Sequence, residues 1–237
     1  VLASLLPGLR EVRTPLTVGY LWLLVLWLWF ADQIPTERPE GDGLIGRIFD
    51  LLAILGPTAG LAAVSFVAFL LGALLTIPTE GRVMQRAFEV APTASLDVRT
   101  TRAEYAQHIE RLRVRAEESI RSLPPNEFRQ ADVELARKAY AGASDLRQRL
   151  LVANQELYGE YDRLEAESQF RLNVCLPLFV LGFTAARDLW IGWAFVTAVA
   201  TVVLLVQSLG RGARSSSVIQ RAVLTKIISH PLADLAG

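Results

Sequence analysis

The chain has 237 residues, 52% of them hydrophobic, and its 24 basic and 24 acidic side chains cancel to a formal net charge of zero. So apolar a composition excludes an ordinary soluble domain of this length, and the lack of a basic balance argues against nucleic acid as a partner. Cys175 is the only cysteine, which excludes an intrachain disulfide and a cysteine-based zinc site.

Residues 1–13 carry Leu2, Leu5, Leu6, Leu9 and Val12 at helical spacing around Arg10 and Arg13. This suits a short segment in the headgroup plane or a frayed terminus. Thr14–Pro15 reads as a helix start, with threonine as N-cap and proline at the first position. The uncharged run behind it makes a first span over about residues 16–34, with Trp27 and Trp29 as membrane anchors at the interface. Trp29-Phe30-Ala31 lacks the small-residue pattern of a cleavage site, so the span reads as an uncleaved anchor rather than a secretory signal.

The loop to Gly43 is rich in proline, glycine and acid, matches no calcium-binding spacing and reads as a solvated linker. Over about residues 44–55 the stripe Ile45, Ile48, Phe49, Leu52 and Leu55 predicts a surface helix ending at Gly56–Pro57. A second span covers about residues 57–77. Gly56 with Gly60, Ala59 with Ala63, and Ala68 with Gly72 recur at four residues and offer faces smooth enough for close helix contact. Residues 1–77 are therefore expected to form an N-terminal membrane pair. Ile34-Pro-Thr-Glu37 and Ile77-Pro-Thr-Glu80 repeat the same stop-and-cap punctuation after each span.

Residues 78–170 change character. A helical pattern over residues 80–90 closes at Pro92, and the next helix runs from about Thr93 or Ser95 to Leu123, with an apolar seam of Tyr105, Ile109, Leu112, Ala116 and Ile120. After the hard turn at Pro124–Pro125 the seam resumes at Phe128 and continues unbroken through Leu135, Leu146, Leu150, Tyr161 and Leu164. Two such stripes joined by a tight turn predict a cytosolic antiparallel coiled-coil hairpin, nearly straight because its steps approach an eleven-residue repeat. Glu117 with Arg121, Glu134 with Lys138, and Asp145 with Arg149 add i,i+4 support. Arg113, Arg121, Pro124 and Pro125 gather toward the tip and make it the candidate partner-binding surface, although interleaved acids cancel much of its field.

Residues 171–237 read as a C-terminal membrane pair with a basic amphipathic tail. Its spans cover about residues 171–186 and 189–209, with Arg171 snorkelling toward the headgroups and Trp190 and Trp193 as further anchors. Residues 210–217 read as a flexible basic exit, and Val218–Ser229 as an amphipathic helix on the membrane surface. Pro177 has no N–H, so the carbonyl of Asn173 loses its helical partner and a kink is expected. Asn173 and Pro177 are therefore candidate hinge or pore residues, with the helix from the hairpin acting as a lever in the hinge reading.

Chemistry is looked for in the remaining residues. The two histidines, His108 and His230, stand apart from any serine or cysteine in a strained turn, and Glu117–Glu118 lies on a charged helix without pocket-forming neighbours. No catalytic, cofactor-binding or metal-binding residue is assigned, and no enzyme is expected.

These elements add up to an all-α integral membrane protein, four transmembrane helices with the hairpin between spans two and three. Arginines flank the spans on the hairpin side and the acidic first loop lies on the other, so both termini and the hairpin are expected to be cytoplasmic. Arginine outnumbers lysine 22 to 2, as in a GC-rich bacterial genome, which suggests a bacterial inner membrane. The function expected is a non-catalytic scaffold, regulator or sensor in the lipid bilayer, acting through the hairpin as a homo-oligomer or on a docked protein partner. In topology alone the order of two spans, helical excursion and two spans resembles the ion-driven stator proteins of bacterial motors. That resemblance implies an alternative, a homo-oligomeric ion channel or stator-like component gated or coupled by the hairpin.

Overall fold

The computed structural model describes residues 2–33, 35, 38–39, 43–77, 95–122, 124–139, 143–188 and 191–236; nearly all are helical and no strand occurs among them. The α-helices among them are α1 (Leu2–Phe30), α2 (Leu44–Leu75), α3 (Leu96–Arg121), α4 (Pro125–Ala139), α5 (Ala143–Ala153), α6 (Gln155–Asp188), α7 (Ile191–Leu224) and α8 (Ala233–Ala236). Four stretches are long and apolar enough to cross a membrane: Val12–Gln33, Gly56–Leu75, Gln155–Arg187 and Ile191–Leu224. The chain divides into two compact units, Val1–Gly81 with Ser168–Ser208, and Arg82–Glu167 with Leu209–Gly237. Most of the paired Ile-Pro-Thr-Glu punctuation, the pattern over residues 80–92 and Trp190 lie outside the described residues.

In the first unit, α1 runs on from Leu2 through Pro7 and Pro15, so Thr14–Pro15 does not start it. An interior proline loses the bond its N–H would donate and crowds the carbonyl four residues back, and here the Pro15 segment stays helical while packed against α2. A Cβ added at Gly72 would strike the Pro15 carbonyl, and one added at Gly19 would fall on the backbone of Ala68. The two helices are thus antiparallel with their backbones in contact, using the Ala68/Gly72 pair of small residues inside the chain. The α2 helix breaks at Gly56, where φ is 77° and ψ 173°, immediately before Pro57. Only glycine takes that conformation cheaply, so the stretch over residues 44–55 and the apolar run that could cross a membrane are set apart at the predicted point.

Within the same unit α6 and α7 are also antiparallel. Ser168 meets Ser208, the Cys175 thiol reaches the Thr201 carbonyl at 3.6 Å, and a Cβ at Gly182 would overlap the Thr197 side chain. Ser168, Cys175 and Gly182 are spaced by seven, which returns each to one helix face. Most large apolar residues of this unit point outward, Val18, Val25 and Leu172 being buried: Leu74 is 83% exposed and Phe195 73%, with Leu61, Phe66, Phe183 and Ile191 also exposed.

The second unit has the reverse construction. Leu112, Ala116 and Ile120 of α3 pack with Leu135 of α4, but the cluster is closed by Leu232. Leu146 and Leu150 of α5 and Tyr161 of α6 pack with Ile219, Ala222 and Val223 of α7 and with Ile228. The described seams are therefore sealed by the C-terminal segment, where the sequence predicts a two-helix coiled coil and a tail on the membrane surface. An amphipathic stripe specifies that a face is buried, not which element buries it. Residues 210–217 are helical instead of a flexible exit. Ala213 packs with Val98 and Leu209, and the Ser215, Ser216 and Ser217 hydroxyls donate to carbonyls three or four residues back. The second arm is not one helix: α5 and α6 are separated by Asn154, whose Oδ1 accepts from the N–H groups of Glu156 and Leu157 at 3.1 and 3.0 Å. Asparagine is thereby an N-cap, a preference that outweighs propagation of the helix through it.

Candidate functional site

Asn173, on α6, is only 4% exposed. Its Oδ1 accepts from the Ile77 N–H at 2.6 Å, and its Nδ2 donates to the Ile77 carbonyl at 3.2 Å and to the Gln169 carbonyl at 2.9 Å. Ile77 lies just past the C-terminus of α2, where backbone groups have run out of helical partners. One amide side chain thus serves both backbone groups of one residue on the other helical pair. Where such groups are buried, an unmade hydrogen bond costs the full desolvation of the group, so the pair acts as a tether. Pro177, four residues on, is fully buried, and α6 continues through it.

Two contacts flank the tether. Ser168 Oγ donates to the Ser208 carbonyl at 2.9 Å, Ser208 Oγ donates to the Ser168 carbonyl at 2.8 Å, and both serines are buried. The Arg13 guanidinium stacks 4.6 Å from the centre of the Phe170 ring. Further along, Trp29 Nε1 donates to Thr184 Oγ1 at 2.8 Å, and Thr184 returns its own proton to the Val180 carbonyl. Ser65 bonds to the Leu61 carbonyl in its own helix and to Tyr20 across to α1, while the Thr197 and Thr201 hydroxyls are satisfied within α7 by the Trp193 and Thr197 carbonyls. Trp29 with Thr184 and Tyr20 with Ser65 thus join helices, and the other hydroxyls are satisfied locally. They supply neither a nucleophile beside a base nor a paired acid and base.

The remaining sequence-predicted residues do not form one site. Trp27, Trp29 and Trp193 are exposed and Arg171 is half-buried. Arg113 Nε pairs with Glu117 at 2.9 Å. Arg121 closes α3 eight residues later, about 12 Å along the helix, so the two arginines do not converge. Pro124 is exposed and Pro125 begins α4. Among the described residues no three His, Cys, Asp or Glu side chains gather as a metal site requires.

A second polar cluster, not legible as such in the sequence, lies in the other unit. Arg149 pairs with Asp145 on its own helix and with Asp234 at 3.1 Å, and it donates to the Ser229 hydroxyl and carbonyl. The hydrogen bond to Asp234 holds its guanidinium charged even more firmly than usual. His230 is buried edge-on to Tyr105, with ring centres 6.4 Å apart, and its Nδ1 accepts from the Leu232 N–H. Burial raises Tyr105 to about 12 and lowers His230, to which Arg149 and His108 add. The cluster latches the C-terminal segment onto α3 and α5 with side chains that are neutral or fully paired. Comparison with protein-family models, curated proteins and solved structures gives no match to this chain.

Proposed function

We propose that the chain is a non-catalytic, multi-pass membrane protein, a scaffold, regulator or sensor whose first unit sits in a lipid bilayer and whose second unit offers its surface to a partner in the cytoplasm. The observation that supports this reading is the opposite sorting of side chains in the two units. Small and hydrogen-bonded residues make the close helix contacts of the first unit and most of its Leu, Ile and Phe lie outside, while the second gathers Leu112, Ile120, Leu135, Leu146, Leu150 and Ile219 in buried clusters. Orientation rests on the arginines that follow spans two and four, and the arginine-rich composition supports a bacterial inner membrane. Partner docking would use the outer surface of the second unit, because its seams are already filled by Ile219, Val223, Ile228 and Leu232. Phe128 and Val133 of α4 are exposed beyond the turn at Pro124 and extend the tip surface.

Reconstituted alone in liposomes, the protein should pass no ions, and its purification from membranes should recover a cytosolic protein whose yield falls with Phe128→Ser. Ion flux from the protein alone would instead favour the homo-oligomeric channel or stator-like reading.

A further inference from the structure

A groove of about 500 Å³ runs through the second unit between the start of α3, residues 157–164 of α6 and the last turns of α7. Four guanidinium groups line it, those of Arg163, Arg211, Arg214 and Arg221, against the carboxylates of Asp97 and Glu160. Arg221 is paired with Asp97 at 2.7 Å, and Arg211 lies 3.4 Å from Glu167 outside the lining. Arg163 and Arg214 are exposed and have no ion-pair partner among the described residues. Ser95, at the N-terminal end of α3, lines the same groove without making a side-chain cap, which leaves first-turn N–H groups to an incoming anion. The floor is apolar, with Val98, Leu164 and Ala222 all buried. A cationic rim over an apolar floor matches an anion that carries a hydrocarbon portion.

Residues 189–210 are uncharged, and Arg211 and Arg214 are the first charges after them, where headgroup phosphates lie if the run spans a bilayer. We propose that this groove binds a phosphate-ester anion, supplied by an anionic phospholipid headgroup. The inference rests on the membrane reading of the first unit.

The full-length protein should be placed in nanodiscs containing phosphatidylcholine with or without phosphatidylglycerol, and the lipid that stays bound counted by native mass spectrometry. Wild-type protein should retain phosphatidylglycerol selectively, Arg163→Gln with Arg214→Gln should lose that selectivity by roughly tenfold, and Glu160→Gln should increase it. If instead inorganic phosphate binds saturably and the double variant abolishes that binding, while no lipid is retained selectively, the phosphate chemistry stands but the lipid source is overturned. Equal retention of both lipids by all three proteins, with no phosphate binding, would overturn the proposal. Failure to enter phosphatidylcholine nanodiscs at all would count against the membrane reading, whereas entry without anionic selectivity counts against the groove alone.

Discussion

The two units are built from the same secondary structure with opposite interiors. Where α1 meets α2 the contact is backbone on backbone, through Gly19, Ala68 and Gly72, and where α6 meets α7 it is Ser168 on Ser208 and Gly182 on Thr197. In the other unit the contacts are Leu112, Leu135, Leu150 and Ile219, with His230 and a few hydroxyls buried beside them and ion pairs such as Arg149–Asp234 partly exposed. The difference teaches that helix content says little about the solvent a helix is built for, while the size and polarity of what it buries say much. Large side chains have no reason to leave a lipid phase, so small residues and hydrogen bonds do the joining there. In water, burying the large ones is the main driving force.

Truncation in the interior packed with large apolar side chains should have the largest effect. Leu150 is completely buried, so Leu150→Ala should cost about 2–5 kcal/mol, seen as a lower midpoint for unfolding of the second unit in mild detergent. In the other type of interior, enlargement should be what hurts. Gly72→Val forces a side chain into the Pro15 backbone and should cost about 1–3 kcal/mol. Gly60→Val is the control, since its added atom meets only the end of the Leu52 side chain. Equal stability of the two valine variants would remove the close-contact argument.

The tether comes next. Asn173→Leu keeps the branched shape of the side chain but strands the Ile77 N–H and carbonyl, and a loss of about 1–3 kcal/mol is expected in a detergent-unfolding titration. The smallest effect sharpens the contrast from the aqueous side. His230 is held below its ordinary 6.5 by burial, then by Arg149 and His108, against the opposing pull of Asp145 and Asp234. Above that pH, folded and unfolded chains both carry a neutral imidazole. As the pH falls below it the unfolded chain takes up the proton first, so stability should drop with acid by at most about 1.4 kcal/mol per pH unit. His230→Gln should flatten that slope, and an unchanged slope would show that other groups carry it.

Much of the local architecture is legible in the residues themselves. The break at Gly56–Pro57, the close-packing pair Ala68/Gly72 and the turn at Pro124 each follow from the conformational chemistry of a few adjacent residues. Asn173 also stood out, because an amide is costly in an apolar helix, but its partner Ile77 lies 96 residues away and no local signal names it. The tail differs from its sequence pattern for a related reason. Gly210, Gly212 and three serines suggest a flexible exit, while the helix there is held by Ala213 against Val98, a contact between segments far apart in the chain. The Ser168–Cys175–Gly182 spacing was present in the sequence as a seven-residue repeat of small residues, a signal usable only once α7 is known to face it.

The central claim, that the first unit faces lipid and the second water, is tested most directly by cysteine accessibility in native membranes. On a Cys175→Ser background, single cysteines at Phe66, Phe195 and Val152 would be treated with a water-borne maleimide, with the cytoplasmic face opened. All three positions are more than half exposed on the isolated chain, Val152 at 89%. The account predicts rapid labelling at Val152 and almost none at Phe66 and Phe195 until detergent is added. Labelling of Phe66 and Phe195 as fast as Val152 in intact membranes would contradict it.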